Sequence, residues 1–227
     1  MPHRIAPPRR TSLAVLSLCM ALALFIFPLT AQAGTLELTQ ALHADLPPTL
    51  FALTYRAGND GFFYTSAITV AHADTRQVLQ HLPLSPEAQS LESDTLGLAL
   101  EDLNFDGYLD MRIMAFLPNS GNVPYHVWLW DAPSQQFVYS EPLSALTSPE
   151  PDAAAQRVRS FVREDADTYV QAAYAWVEGD LVLTDRTITY YDMPNGVVHT
   201  AVETLQEGHL VLVAQYDQPF GQPEDEE

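Results

Sequence analysis

The chain contains no lysine, and three of its ten arginines lie before residue 34. From Gly34 onward seven arginines face 29 acidic residues, so the formal charge of that part is −22. Nucleic acid and anionic lipid surfaces are poor partners for such a chain, because both are gripped by cationic side chains that displace counterions. A basic protein or a divalent cation suits this field, and the same charge also serves simply to keep an exported protein soluble. Cysteine is almost absent. The single Cys19 lies in an apolar N-terminal run after Leu18, where a lipoprotein signal would carry Gly, Ala or Ser, so neither a lipid anchor nor a disulfide is expected. The seven histidines show no i, i+4 pair and no HExxH, and neither a GxSxG elbow nor a phosphate-cradling glycine loop is present. Zinc, nucleophilic and nucleotide chemistry therefore have no visible apparatus, and no enzyme activity is expected. Carboxylate groups such as Glu164 with Asp165 and Asp167 arise from composition alone; a glycosidase built on two carboxylates remote in sequence stays open as a minor alternative.

What is present begins with an export signal over residues 1–33. Arg4, Arg9 and Arg10 form a basic region, Leu13 to Leu29 an apolar one, and Ala31-Gln32-Ala33 a small-residue cleavage site before Gly34. The apolar run is short and interrupted at Pro28, which favours cleavage over a retained membrane anchor. Arg9-Arg10 matches a twin-arginine signal weakly, and the general secretory route is favoured. The expected location is the bacterial periplasm or the exterior, with no membrane insertion after cleavage.

Residues 34–216 are expected to form a single β-rich domain, followed by a disordered acidic tail over 217–227. Short runs of alternating apolar and polar residues, separated by Gly, Pro, Asn and Asp clusters, predict strands at 51–56, 66–71, 77–82, 96–100, 109–116 and 125–130. Further strands are predicted at 157–163, 169–177, 181–191, 197–205 and 210–216. The fold class is all-β, an antiparallel meander forming a β-sandwich or propeller-like domain with at most one short helix. That helix is placed near Asp152, which would be its N-cap.

The nonapeptide Asp102-Leu103-Asn104-Phe105-Asp106-Gly107-Tyr108-Leu109-Asp110 reads D-x-N-x-D-G-x-x-D. A calcium ion takes six or more oxygens at about 2.3–2.6 Å. Asp102, Asn104, Asp106 and Asp110 offer side-chain oxygens, Tyr108 its backbone carbonyl, and Gly107 permits the sharp turn. An EF-hand would carry a bidentate Glu at position twelve, where this chain has Ile113, so the loop is not one. The competing account is an Asp/Asn/Gly turn between strands, which uses these residue types for backbone reasons alone. Further on, Pro118-Asn-Ser-Gly-Asn-Val-Pro-Tyr125 reads as a protruding turn with a rigid exit, either an insertion tip or an ordinary hairpin loop. Tyr125, Trp128 and Trp130 are assigned to one strand face, the kind more often core than binding surface.

Taken with the signal, the pair Ala67–Val70 and Gln77–Leu82, the loop from Leu103 to Asp110, the segment Tyr125-His-Val-Trp-Leu-Trp-Asp131 and Phe137, the chain resembles a family of bacterial periplasmic immunity proteins. Its members neutralise lysozyme-like effectors delivered by a type IV secretion system and are similar to periplasmic inhibitors of invertebrate-type lysozyme. The resemblance covers residues 50 to 190 and implies an all-β, calcium-binding, non-enzymatic inhibitor of a peptidoglycan hydrolase. It assigns the metal to Asp102, Asn104, Asp106, Tyr108 and Asp110, and the partner contact to Ser120, Gly121 and Tyr125. The alternative is an integrin-like, calcium-stabilised adhesion or scaffold module without an enzyme partner.

Overall fold

Alternation at period two gives every strand a face to bury, and tight turns lay consecutive strands side by side. In the computed structural model, which describes residues 33–220, this yields three antiparallel meanders in succession. The first sheet is β1 (Ala33–Gln40), β2 (Thr49–Ala57), β3 (Phe63–His72) and β4 (Val78–Ser90). The second is β5 (Leu98–Glu101), β6 (Asp110–Met114), β7 (Tyr125–Asp131) and β8 (Gln136–Tyr139). The third is β9 (Glu150–Asp152), β10 (Arg157–Arg163), β11 (Thr168–Val177), β12 (Asp180–Asp192), β13 (Val197–Gln206) and β14 (His209–Pro219). With one four-residue helix, α1 (Glu141–Ser144), the chain is the all-β sandwich expected. The signal segment up to residue 32 and residues 221–227 lie outside the described residues.

The second sheet is the middle layer. Phe51, Ile68 and Val70 of the first sheet meet Met111, Ile113, Trp128, Trp130 and Phe137 of the second in one buried cluster. On its other face Val127, with Leu103 and Leu143, meets Val158 of the third sheet in a smaller one. Gln80 ties β4 to β8 as well, its amide donating to the Phe137 carbonyl and accepting from the Phe137 N–H, both at 2.9 Å. Strand parity corrects one expectation. Tyr125 stands three residues from Trp128, an odd step, so it packs with Val127 and Leu129 against the third sheet while both tryptophans enter the first core.

Two turns in the third sheet show why it is a meander. Glu178-Gly179 and Glu207-Gly208 each put both residues at positive φ, the two-residue arrangement whose twist matches that of the flanking strands. The helix lies elsewhere than expected. Ser140, not Asp152, is the N-cap, and Asp152 ends β9 with its carboxylate accepting from Ala155 N–H at 3.1 Å. An N-capping aspartate and a turn-closing one make the same local bond, so the residue type alone did not distinguish them. At the other end β14 continues to Pro219, paired with Val197, so residues 217–219 are strand rather than tail.

Candidate functional site

The aspartate-rich loop joins β5 to β6, closing above the Glu101–Asp110 pair of their ladder. Its tight curl needs left-handed backbone at Phe105 (φ 61°) and Gly107 (φ 90°). Asp102 accepts from the N–H groups of Asp106 (3.2 Å) and Gly107 (2.9 Å), and Asp106 accepts from Tyr108 N–H at 2.9 Å. The Asn104 amide donates to the other Asp106 oxygen at 2.9 Å. These oxygens sit at the exposed rim, whereas Asp110 is fully buried. One Asp110 oxygen accepts from Leu103 N–H (2.8 Å) and Asn104 N–H (3.3 Å), the other from Trp130 N–H (2.9 Å). Burial pushes its carboxyl up to about 7. The N–H groups of Trp130 and Leu103 oppose that rise, and the negative charges of Asp106 and Asp102 add to it.

The loop is also where the three sheets meet. Leu109 N–H donates to the Leu42 carbonyl in the β1–β2 connection at 2.8 Å, and the Tyr108 ring lies 4.6 Å from that of His43. Asp110 reaches Trp130 on β7 of the second sheet. From the third sheet, the Trp176 indole donates to the Leu103 carbonyl at 2.9 Å. Nothing local in the sequence marks Trp176 for this role, since its partner is 73 residues away.

In kind, the donors fit a hard cation: three carboxylates, one amide oxygen and the Tyr108 carbonyl, with Asp110 already repelled by two neighbouring charges. In placement they are open. Among the described residues no three His, Cys, Asp or Glu side chains are gathered closely enough to hold a metal ion. A cation here would therefore draw the rim carboxylates together, away from the N–H groups they now hold.

The second candidate element is the turn between β6 and β7. Asn119, Ser120 and Gly121 are exposed at its tip; Gly121 has φ 80°, its N–H donates to the Pro118 carbonyl at 3.2 Å, and the space beside its Cα is open. Asn122 fastens the turn, donating to the Arg163 carbonyl and accepting from the Arg163 N–H, both at 2.8 Å. Tyr125 is not at the tip. It lies half-buried on β7 with the Arg112 guanidinium 4.6 Å from its ring centre. Arg112 in turn donates to Glu101 at 2.6 Å, so Tyr125 is linked through one arginine to the residue that precedes the aspartate loop.

This architecture is found in a solved structure described as that of a Xanthomonas type IV secretion system related protein. The two superpose with a TM-score of 0.59 over 80% of this chain and 99% of the other, at 15% identity. The likeness is one of fold. No protein-family model and no curated protein sequence matches the chain. Among the described residues no helix is long and apolar enough to cross a membrane.

Proposed function

We propose that this protein is an exported, calcium-binding and non-catalytic inhibitor of a lysozyme-like peptidoglycan hydrolase, in the setting of type IV secretion. The observation that carries the proposal is the projecting turn: an exposed Ser120-Gly121 tip with open space beside Gly121, held from behind by the Asn122 side-chain amide on the Arg163 backbone. A tip already held in shape loses less conformational entropy on entering a cleft. The fold shared with a type IV secretion system related protein supports the setting. Charge supports the partner, because cell-wall hydrolases work on an anionic polymer and are commonly cationic, and this chain would attract them.

Calcium, held by Asp102, Asn104, Asp106, the Tyr108 carbonyl and Asp110, would supply positive charge to a loop crowded with carboxylates. The chain's own residues do the rest. Glu101 and Arg112 extend from the base of that loop to Tyr125, and Tyr125 begins the strand that the turn feeds. The test is clearing of peptidoglycan suspensions by purified chicken-, goose- and invertebrate-type lysozymes as the protein is titrated in. Stoichiometric loss of clearing with at least one of them is expected. Undiminished clearing with all three, or clearing by the protein alone, would remove the proposal.

A further inference from the structure

The outer face of the third sheet, turned away from Val158 and the second core, carries aromatic rings that neither buried cluster uses. Phe161 stacks on Tyr169 at 5.8 Å, Tyr169 meets Tyr191 at 5.5 Å, and Tyr191 meets Phe220 at 6.0 Å. They border a hollow of about 500 Å³ with Met193 beside it. Phe161, Met193 and Phe220 are 41%, 58% and 53% exposed, so this is apolar surface left in water.

The row starts at the projecting turn. Asn122 grips the backbone of Arg163, and the Arg163 guanidinium lies 5.6 Å from the Tyr169 ring centre. That arginine spends its donors on the carbonyls of Asp165 (2.9 Å) and Ala166 (3.0 Å), which shapes a turn that presents Glu164 and Asp165 to solvent. The patch therefore has an aromatic and methionine centre, with Arg163 and the exposed acidic pair Glu164 and Asp165 along the side next to the turn that carries Ser120 and Gly121. One Asp165 oxygen accepts from the N–H groups of Asp167 (2.9 Å) and Thr168 (2.7 Å), which leaves the other free. An aromatic centre ringed by polar groups is how protein interfaces concentrate affinity. A sugar chain would want coplanar faces, whereas successive rings here turn by 27°, 85° and 79°. Such rings make walls rather than a floor, and an apolar side chain fits between walls.

We infer that this outer face is a second contact for the hydrolase engaged by the turn: a cationic protein that places an apolar side chain in the Tyr191–Met193–Phe220 hollow and basic groups against Glu164 and Asp165. The inference rests on the inhibitor function proposed above. Met193 suits such a pocket because its unbranched side chain adapts to the shape it receives.

The test uses the protein purified after export, with the chicken-, goose- and invertebrate-type lysozymes as probes, and reads calorimetric binding and peptidoglycan clearing separately. Met193→Lys and Phe161→Ala should each weaken binding on the order of tenfold. Glu164→Gln should slow association severalfold at low salt with little change in dissociation. Val213→Lys, on the exposed β14 away from the row, should bind like wild type, and unchanged melting temperatures confirm folding. If the wild type inhibits and the Met193 and Phe161 variants bind equally well, the second contact is overturned and the inhibitor function stands. If those variants lose binding while no lysozyme is inhibited, the contact stands and the inhibitor function falls. If the wild type binds none of the three, the contact is overturned as well.

Discussion

At the scale of single residues, Asp110 and Gly121 carry the site in different ways. Asp110 is fully buried and accepts from three backbone N–H groups, two in its own loop and one on β7. Asp110→Ala therefore leaves the buried donors of Leu103 and Trp130, and the half-buried one of Asn104, without that acceptor. The expected loss is on the order of 3 kcal/mol or more by urea unfolding, with Asp110→Asn losing less because one acceptor oxygen remains. An unaltered midpoint in Asp110→Ala would mean that water reaches those groups. Gly121 is the opposite case, since nothing lies within 4 Å of a Cβ placed there and the only obstacle is φ 80°. Gly121→Val is therefore expected to reshape the tip, storing about 1–3 kcal/mol of local strain, with no repacking elsewhere. Lysozyme inhibition should fall on the order of tenfold while the far-ultraviolet dichroism stays as in wild type. Inhibition equal to wild type would make the turn an ordinary connection. The metal-type spacing of the loop and the glycine at the tip were both legible in the sequence, because each is a local pattern. The burial of Asp110 and the clasp of Asn122 on Arg163 were not, because their partners lie 20 and 41 residues away.

Among the elements, two junctions set how rigidly the third sheet is held. Trp176 on β11 reaches the Leu103 carbonyl, so Trp176→Phe keeps an aromatic ring in the second cluster, though a smaller one, and removes one bond between the sheet and the loop. A destabilisation of about 1 kcal/mol is expected, with faster amide exchange at 102–110; exchange unchanged there would mean that the bond does not restrain the loop. At the other side of the sheet, His199 on β13 contacts Asp217 on β14 at 2.7 Å and faces Asp192 at 3.8 Å. The bond to Asp217, with both carboxylate charges, holds its imidazolium above the usual 6.5, against a smaller opposing effect of burial. A raised value in the folded state means stability that is fully present below about pH 6.5 and is lost as pH rises through the raised value. The melting-temperature gap between wild type and His199→Gln should thus be larger at pH 5.5 than at pH 9, and an equal gap at both would show that the pair contributes nothing through charge. The strands themselves were readable from alternation, and those of the second half fall within a few residues of the observed limits. β8 and β9 escaped because four and three residues are too few to show a period, no strand was predicted over β1 although Leu36 and Leu38 alternate there, and the face of Tyr125 was misassigned by one step of parity. Alternation also tells which side of a strand is buried but not which sheet it faces, so the division into three sheets had to come from the structure.

For the whole molecule, the aspartate loop matters because it touches all three sheets, through Leu42 and His43, Trp130, and Trp176. A cation that closes this loop would stiffen the point from which the second sheet presents the turn, and would stabilise the fold by an amount that grows with the logarithm of its concentration over its dissociation constant. The excess of acidic residues adds a long-range attraction to cationic partners that salt screens over about 8 Å at physiological strength. Under the proposed function both effects converge on one quantity, the inhibition constant against a lysozyme, measured by peptidoglycan clearing in calcium and again in chelator, for wild type and for Asp106→Ala. The expected result is that removing calcium weakens inhibition by wild type on the order of tenfold, while Asp106→Ala is already weakened and indifferent to the metal. Equal inhibition constants for wild type with and without calcium, or an Asp106→Ala variant that responds to calcium as wild type does, would contradict the link between this loop and the turn.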